Sequence, residues 1–308
     1  MYETFNLFAA IALAIFIEAM PFLVIGALFS AFIEVYVSTQ RLLRMVPRNI
    51  AGGLALGISA GFVLPTCECG VVPIVRRLMN KGVPPYIAIA YMLAAPIVNP
   101  VVLASTYIAF RGSFTMVFAR ILLAVIVAAT VALIAKSLVN VIRHSYQLAD
   151  EHKCDHEHHD HNHHDHSHTS HKPKIVTVLR HAAMEFMDMG KYLIIGALIA
   201  AAFKTFLPVS VMDSFGDNLA LSIGGMMVLA ILLSVCSEAD AFVAASFVGF
   251  PLASQLAFIG IGPMVDLKLI GMYGITFQRR MVMVLILVPF VLVYLIAMIA
   301  GKAGIIIS

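Results

Sequence analysis

The stretch Pro65-Thr66-Cys67-Glu68-Cys69-Gly70 places two thiols and a carboxylate inside an apolar run of the chain. Between residues 50 and 75 the only charged side chain is Glu68. A proline, a glycine and polar groups at membrane depth interrupt a helix and leave backbone groups without partners, which lipid does not tolerate. Such a break survives where protein covers it or where it lines a cavity, and an ionisable residue at that depth indicates a functional site. We therefore expect the rest of the chain to be organised around this stretch.

The composition is that of a polytopic membrane protein. Of the 308 residues, 61% are hydrophobic and 12% are charged, with a mean hydropathy of +0.96, whereas soluble domains carry roughly 25% charged residues. Residues 7–33, 84–110 and 281–301 exceed the roughly 20 apolar residues that a crossing helix needs. The formal net charge of +3 is too small to indicate nucleic acid as a partner. We expect an all-α, multi-pass protein of the cell inner (plasma) membrane, with the lipid bilayer as its surroundings.

Two helix breaks are predicted in the first half. Basic residues flank residues 50–79 on both sides, which favours a re-entrant helical hairpin with Cys67 to Cys69 at its tip. The alternative is a single kinked helix that crosses the membrane. A second break falls at residues 95–100, where two prolines surround Asn99. Its amide could bind a ligand, or a neighbouring helix could satisfy it.

The pattern of the first half returns in the second at an offset near 170 residues. Gly26-Ala27-Leu28 recurs as Gly196-Ala197-Leu198, and Cys67 and Asn99 align with Cys236 and Asp266. The alignment predicts a first transmembrane repeat at residues 1–140, a His-rich linker at 141–175 and a second repeat at 176–308. Each half would have three full spans plus a hairpin, which makes the second half inverted. Eight spans in parallel halves, or chance similarity between apolar runs, are the alternatives.

The second tip reads Cys236-Ser237-Glu238-Ala239-Asp240. Paired interrupted helices at matching positions in two halves indicate the binding site of a transporter. The three thiols of the tips could converge on one soft ion, with carboxylates supplying charge or a proton site. The candidate substrate-binding residues are Cys67, Glu68, Cys69, Asn99, Cys236, Glu238, Asp240 and Asp266.

Residues 152–171 form a different kind of segment, which holds ten of the twelve histidines of the chain. Such a tract cannot build a core, and imidazole with carboxylate and thiol suits Zn, Cu or Ni. A solvated linker without a metal role is the alternative. No cofactor is required elsewhere in the chain. The candidate metal ligands are Cys154, His156, His158, His159, His161, His163, His164, His166 and His168.

Three elements together resemble the predicted-permease family that includes ArsP-like organoarsenical exporters. They are Cys-Glu-Cys-Gly-Val-Val-Pro at residues 67–73, Pro-Ile-Val-Asn-Pro at 96–100 and Gly-Pro-Met-Val-Asp at 262–266. The His-rich loop resembles that of the branch described as heavy-metal (copper or zinc) efflux transporters, and the resemblance implies metal export. This chain departs from a symmetrical pattern, since its second tip holds only one thiol, Cys236.

The sequence favours a membrane permease, not an enzyme, that exports a thiophilic heavy metal or metalloid species. Its partner would be a small inorganic or organometallic substrate, and a homo-oligomer is compatible with the sequence. No Walker-type nucleotide motif occurs, so an ion gradient would drive transport. The rival interpretations are a membrane thiol-disulfide oxidoreductase using Cys67 with Cys236, a permease for another small anion or sulfur compound, and a metal sensor or assembly factor using the linker.

Overall fold

The computed structural model describes residues 2–36, 49–63, 66–137, 174–206 and 218–304, together with the single positions 40, 44, 46 and 47. Within these ranges the secondary structure is helical, without strands. The expected all-α architecture is therefore confirmed. The helices are α1 (Tyr2–Tyr36), α2 (Ile50–Val63), α3 (Glu68–Asn80), α4 (Pro85–Val98), α5 (Pro100–Ala109), α6 (Phe114–Ser137), α7 (Lys174–Phe206), α8 (Leu219–Leu233), α9 (Asp240–Ser246), α10 (Leu252–Ile261), α11 (Leu267–Thr276) and α12 (Arg279–Lys302).

Three stretches of the described chain are long and apolar enough to cross a membrane, namely Pro85–Ala109, α6 and α12. Helices α6 and α12 have 24 residues each, or about 36 Å at 1.5 Å per residue, against a hydrocarbon layer of about 30 Å. Both expose large apolar side chains on their outer faces, such as Phe118 and Ile299. A helix with apolar residues on the outside as well as the inside is suited to lipid.

Two helices lie at the centre of the fold. Every residue from Tyr86 to Val98 of α4 is buried, and so is every residue from Ala253 to Ile261 of α10. Helix α4 packs against α2 and α6, and α10 packs against α8 and α12. The core is therefore built around these two helices, each of which is followed by a break in the chain.

Glycines allow α2 to lie directly on α4. A Cβ atom at Gly57 would be 2.6 Å from the carbonyl oxygen of Ile87, and one at Gly61 would be 2.6 Å from the Cα atom of Ala95. Small residues at such contacts let backbones approach closely, which stabilises helix pairs in membranes. The Gly-rich composition of this run indicates close packing, and the structure identifies α4 as the partner.

The break before α3 is present, and the helices on its two sides pack on different partners, while the re-entrant hairpin stays a prediction. Helix α2 packs along α4, whereas α3 packs against α1 and α4. Among the described residues α2 and α3 do not form an extensive contact with each other. The glycine face of α2 lies on α4 and not on α3.

The second predicted break is also present. Helix α4 ends at Val98, and α5 begins at Pro100 after Asn99, whose backbone has φ −58° and ψ 131°. Pro100 cannot donate a backbone hydrogen bond and disfavours a helical residue before it, so the helix restarts there. The discontinuous helix expected at residues 95–100 is confirmed.

Helices α1 and α7 pack against each other in antiparallel orientation. Ile15 of α1 contacts Ala197 of α7, and Ala31 of α1 clusters with Val178 and Ala182 of α7. Helix α1 also packs on α3, and α7 packs on α11. The antiparallel pair thus covers the two short helices, α3 and α11, that carry the site described next.

Candidate functional site

The first tip is a water-excluded turn at the start of α3. The carbonyl oxygen of Cys67 accepts hydrogen bonds from the backbone N–H groups of Gly70 at 3.2 Å and Val71 at 3.1 Å, which starts the helix. Cys67, Glu68 and Cys69 are only 2%, 1% and 1% exposed. Two thiols and a carboxylate are therefore held on one turn inside the core.

Helix α1 closes this turn from one side through a glycine crossing. A Cβ atom at Gly26 would lie 2.6 Å from the Cα atom of Gly70. Helix α7 approaches α11 in a similar way, since a Cβ atom at Gly196 would lie 2.9 Å from the Cα atom of Lys268. Both contacts need glycine because no side chain fits between the backbones.

A buried ammonium group lies between the carboxylates of two helices. The Nζ atom of Lys268 is 3.5 Å from Oε1 of Glu68 on α3 and 3.4 Å from Oδ2 of Asp266 before α11. The other oxygen of each carboxylate is held elsewhere. Oδ1 of Asp266 accepts from the backbone N–H of Leu269 at 2.6 Å, and Oε2 of Glu68 accepts from the Ser237 hydroxyl at 3.1 Å. Each carboxylate thus has one oxygen fixed by the scaffold and one directed at the cation.

The hydrogen bond from Ser237 to Glu68 joins two tips that are 169 residues apart in the chain. The Ser237 hydroxyl is also 3.5 Å from Oε2 of Glu238, which is half-buried. Cys236 is buried, and both Cys69 and Cys236 lie close enough to Lys268 to interact with it electrostatically. The hydrogen bond from Ser237 to Glu68 therefore links the two tips, while the convergence of the three thiols on one ion stays a prediction.

The cysteines of the tips are thiols. Cys67, Cys69 and Cys236 are buried and outside any disulfide in the part of the chain that the structure describes. Within that part, no three His, Cys, Asp or Glu side chains form a group with the geometry to hold a metal ion. The tips therefore bring thiols close to the ammonium of Lys268 without forming a preassembled metal centre.

The side chain of Asn99 caps the helix that follows the second break. Its Oδ1 atom accepts a hydrogen bond from the backbone N–H of Val101 at 3.0 Å and caps the start of α5. Asp266 has the same role at α11 through Leu269. An N-cap satisfies a donor that the first turn of a helix leaves unpaired. The single side-chain oxygen of Asn99 and one of the two carboxylate oxygens of Asp266 therefore accept hydrogen bonds from the backbone.

A second buried ion pair joins α6 to the second tip. The guanidinium of Arg120 donates from Nη2 to Oδ2 of Asp240 at 2.6 Å and from Nη1 to Oγ1 of Thr106 at 2.6 Å. Arg120 is fully buried and Asp240 is 1% exposed. Sequence reasoning placed Asp240 among the candidates but missed Arg120, Lys268 and Ser237 as site residues. A lone arginine in the apolar run of α6 is the signal that could have identified Arg120.

The buried charges of the described chain do not balance. Three carboxylates, on Glu68, Asp240 and Asp266, face two bases, on Arg120 and Lys268. If all five are ionised, one negative charge remains, and a buried charge without compensation is costly. The site is therefore suited to a cation or a proton rather than to an additional anion.

The His-rich tract and its candidate ligands, Cys154 and the histidines from His156 to His168, lie outside the described residues. Metal binding by this tract stays a prediction.

A model of a predicted-permease family matches residues 4–302. A protein of Bacillus subtilis named UPF0718 protein YcgR is 44% identical over 280 residues, which cover 90% of this chain and 91% of that protein. A protein of Streptococcus mutans named as a putative two-component membrane permease complex subunit is 39% identical over 277 residues, which cover 89% of this chain and 88% of that protein. No solved structure matches.

Proposed function

Because the chain belongs to the predicted-permease family, we propose that this multi-pass membrane protein exports a thiophilic cation, either a heavy metal or a metalloid species. The observation that supports this proposal is the meeting of the two tips, where Ser237 hydrogen-bonds Glu68 at 3.1 Å beside three buried thiols. Thiolates select soft metals, and the excess of buried carboxylates favours a positively charged cargo.

In this mechanism the cargo enters the position where Lys268 now bridges two carboxylates. Its ammonium is 3.4–3.5 Å from the nearest carboxylate oxygens, longer than the 2.7–2.9 Å of a strong charged hydrogen bond. A cation bound by Glu68 and Asp266, with thiols of Cys69 and Cys236 nearby, would displace the ammonium. Glu238, half-buried beside Ser237, would lie on the approach to this position.

We further propose that residues 1–140 and 176–308 are inverted repeats joined by the His-rich segment at 141–175. Support comes from α1 and α7, which align at the offset of 170 residues and pack antiparallel, as inverted copies would. Asn99 and Asp266, which also align, each cap the short helix after a break. Each repeat would place one interrupted helix pair beside the site, as in other transporters built from repeats.

A transport assay in a metal-sensitive host tests the function. Cells that express the protein should accumulate less of one thiophilic species among Zn, Cu and trivalent arsenicals, and Cys67→Ser and Cys236→Ser should abolish that difference. Cys154→Ser is the matched control, because this cysteine lies in the His-rich tract, and it should retain export. Accumulation that is indifferent to Cys67 and Cys236 would refute the proposed site.

The same variants separate the rival functions. An oxidoreductase would form a redox-dependent crosslink between Cys67 and Cys236 and would act without any metal dependence. A permease for an anion or sulfur compound would leave metal content unchanged while it alters uptake of that compound. A sensor that uses the linker would lose all function when residues 152–171 are deleted, whereas a transporter should only be weakened.

The name of the Streptococcus mutans relative leads us to propose a second subunit for this chain as well. Purification of the tagged protein from its native membrane, followed by mass spectrometry, should recover a second membrane protein in constant ratio. Recovery of this chain alone, as a monomer or a homo-oligomer, would refute the second subunit.

A further inference from the structure

A cavity of about 550 Å³ lies where α5 and α9 end and where α6 and α10 begin. The polar side chains that line it include the exposed Arg111, which marks its rim, together with Ser113 and the buried Gln255. A larger cavity of about 810 Å³ between α6 and α12 is lined almost wholly by apolar side chains, as expected of a groove filled by lipid. The smaller cavity is therefore the one suited to water and to a polar solute.

Three of the helices around this cavity each carry a polar residue deeper in the fold. Met116 lines the cavity and Arg120 follows it by four residues on α6, while Phe110 lines it and Thr106 precedes it by four residues. Asp240 starts α9, whose later residue Ala245 lines the cavity. One turn of helix is about 5.4 Å. The Thr106–Arg120–Asp240 cluster thus lies about one to one and a half helical turns beyond residues that line the cavity, and we call this cluster its floor.

Asp240 connects this floor to the second tip, which in turn contacts the first tip. The backbone N–H of Asp240 donates to the carbonyl oxygen of Cys236 at 3.0 Å, and Ser237 reaches Glu68 at 3.1 Å. Along the chain, Ala245 in the cavity wall, Asp240 in the ion pair and Cys236 at the tip therefore follow one another at intervals of five and four residues.

We propose that this cavity is the aqueous vestibule of the permease and that the Arg120–Asp240 pair is the barrier between the vestibule and the tip thiols. The inference rests on the proposed function in taking those thiols as the destination of the cargo. The solute that fits is small and hydrophilic, because the wall carries the side chains of Arg111, Ser113 and Gln255 and the floor carries the paired charges of Arg120 and Asp240.

The pair is suited to a barrier that opens and closes. Arg120 joins α5, α6 and α9 through two bonds of 2.6 Å, so its release would break both of these polar links at once. Its Nε atom and Oδ1 of Asp240 are buried without a hydrogen-bond partner among the described residues, which leaves capacity to bind a passing solute or water. Replacing one partner leaves the other charge buried and alone, which favours entry of water.

Thiol labelling in membrane vesicles tests the proposal without any knowledge of the cargo. In a Cys154→Ser background, a cationic, membrane-impermeant methanethiosulfonate should modify Ala245→Cys rapidly from one side of the membrane and the native tip thiols slowly. Arg120→Gln and Asp240→Asn should each speed labelling of the native thiols by about tenfold or more, since a tenfold change needs only a modest fall in the barrier.

Matched variants separate an open barrier from a damaged fold. Arg111→Gln removes an arginine from the rim but not from the floor, and it should leave the labelling rate of the tip thiols unchanged. The exchange Arg120→Asp with Asp240→Arg restores an ion pair and should restore slow labelling. Thr106→Val keeps the ion pair and loses one hydroxyl contact, so an intermediate rate is expected even if the single charge variants fold poorly.

Two outcomes would overturn the inference. An unreactive Ala245→Cys would show that water does not enter the cavity, and native thiols that label at the wild-type rate in Arg120→Gln and Asp240→Asn would show that the pair is no barrier. If labelling follows the expected order but metal accumulation ignores the thiols, the access route stands and the proposed cargo is wrong.

Discussion

Removal of the Lys268 ammonium should show how much this buried cation contributes to the stability of the contact between α3 and α11. In Lys268→Met a flexible apolar chain replaces the lysine, and Glu68 and Asp266 lose the cation that lies 3.5 Å and 3.4 Å from them. The lysine is fully buried, so water does not screen the change. Loss of one partner from a buried pair costs about 3–5 kcal/mol, and we expect the free energy of unfolding to fall by that amount.

A double-mutant cycle with Glu68→Gln isolates the interaction between the two helices. Because the neutral amide introduced by Glu68→Gln no longer needs the cation, the double variant should be more stable than the sum of the single losses predicts, by about 1–3 kcal/mol. The protein has no tryptophan, so unfolding in detergent is best followed with a dye that fluoresces on reaction with the buried thiols. Lys302→Met, at an exposed position of the last turn of α12, is the matched control and should leave the unfolding midpoint unchanged.

Two results would refute this reasoning. One is a Lys268→Met protein as stable as the wild type. The other is a double variant whose loss equals the sum of the single losses within about 0.5 kcal/mol, the range expected for independent sites. Either would show that the ammonium does not couple α11 to α3.

Three further predictions concern other parts of the molecule. Gly26→Ala should lower the free energy of unfolding by about 1–3 kcal/mol, because its Cβ would lie 2.6 Å from the α3 backbone. Gly190→Ala is the control and should leave the unfolding midpoint unchanged, since nothing described lies within 4 Å of a Cβ there. Ser237→Ala should cost about 1–3 kcal/mol by leaving a buried acceptor unpaired; an unchanged midpoint would show that the bond between the tips is not formed. Deletion of residues 152–171 should remove most Zn binding in calorimetry while export is only weakened; Zn binding equal to that of the full chain would place the metal elsewhere.

The breaks in the helices could be predicted from the sequence because single residue types cause them. Pro100 cannot continue the hydrogen bonding of α4, and the polar tip from Cys67 to Cys69 cannot lie in lipid without cover. The tip motif and the proline breaks also carry the family resemblance and the choice of candidate tip residues. Each of these features depends on a few neighbouring residues, so it can be read from a short stretch of sequence.

The contacts between the halves could not be predicted in this way. Arg120 and Asp240 are 120 residues apart, and nothing near either residue specifies the other. The sequence showed that α2 would pack closely, but glycines indicate a close surface without naming the helix that lies on it. The packing of α2 on α4, rather than on α3, depends on how the whole bundle assembles.

The ion pair of Arg120 also has a consequence for biosynthesis. Arg120 enters the membrane before Asp240 has been translated, and at about 5–20 residues per second the wait for 120 residues is roughly 6–24 s. During that time the nascent first half carries an arginine and Glu68 in the bilayer, at a cost of about 2.5–3.5 kcal/mol for each charge near the centre. A fragment that ends after the first half would lack Asp240 and Lys268, which are the partners of these two charges in the folded protein.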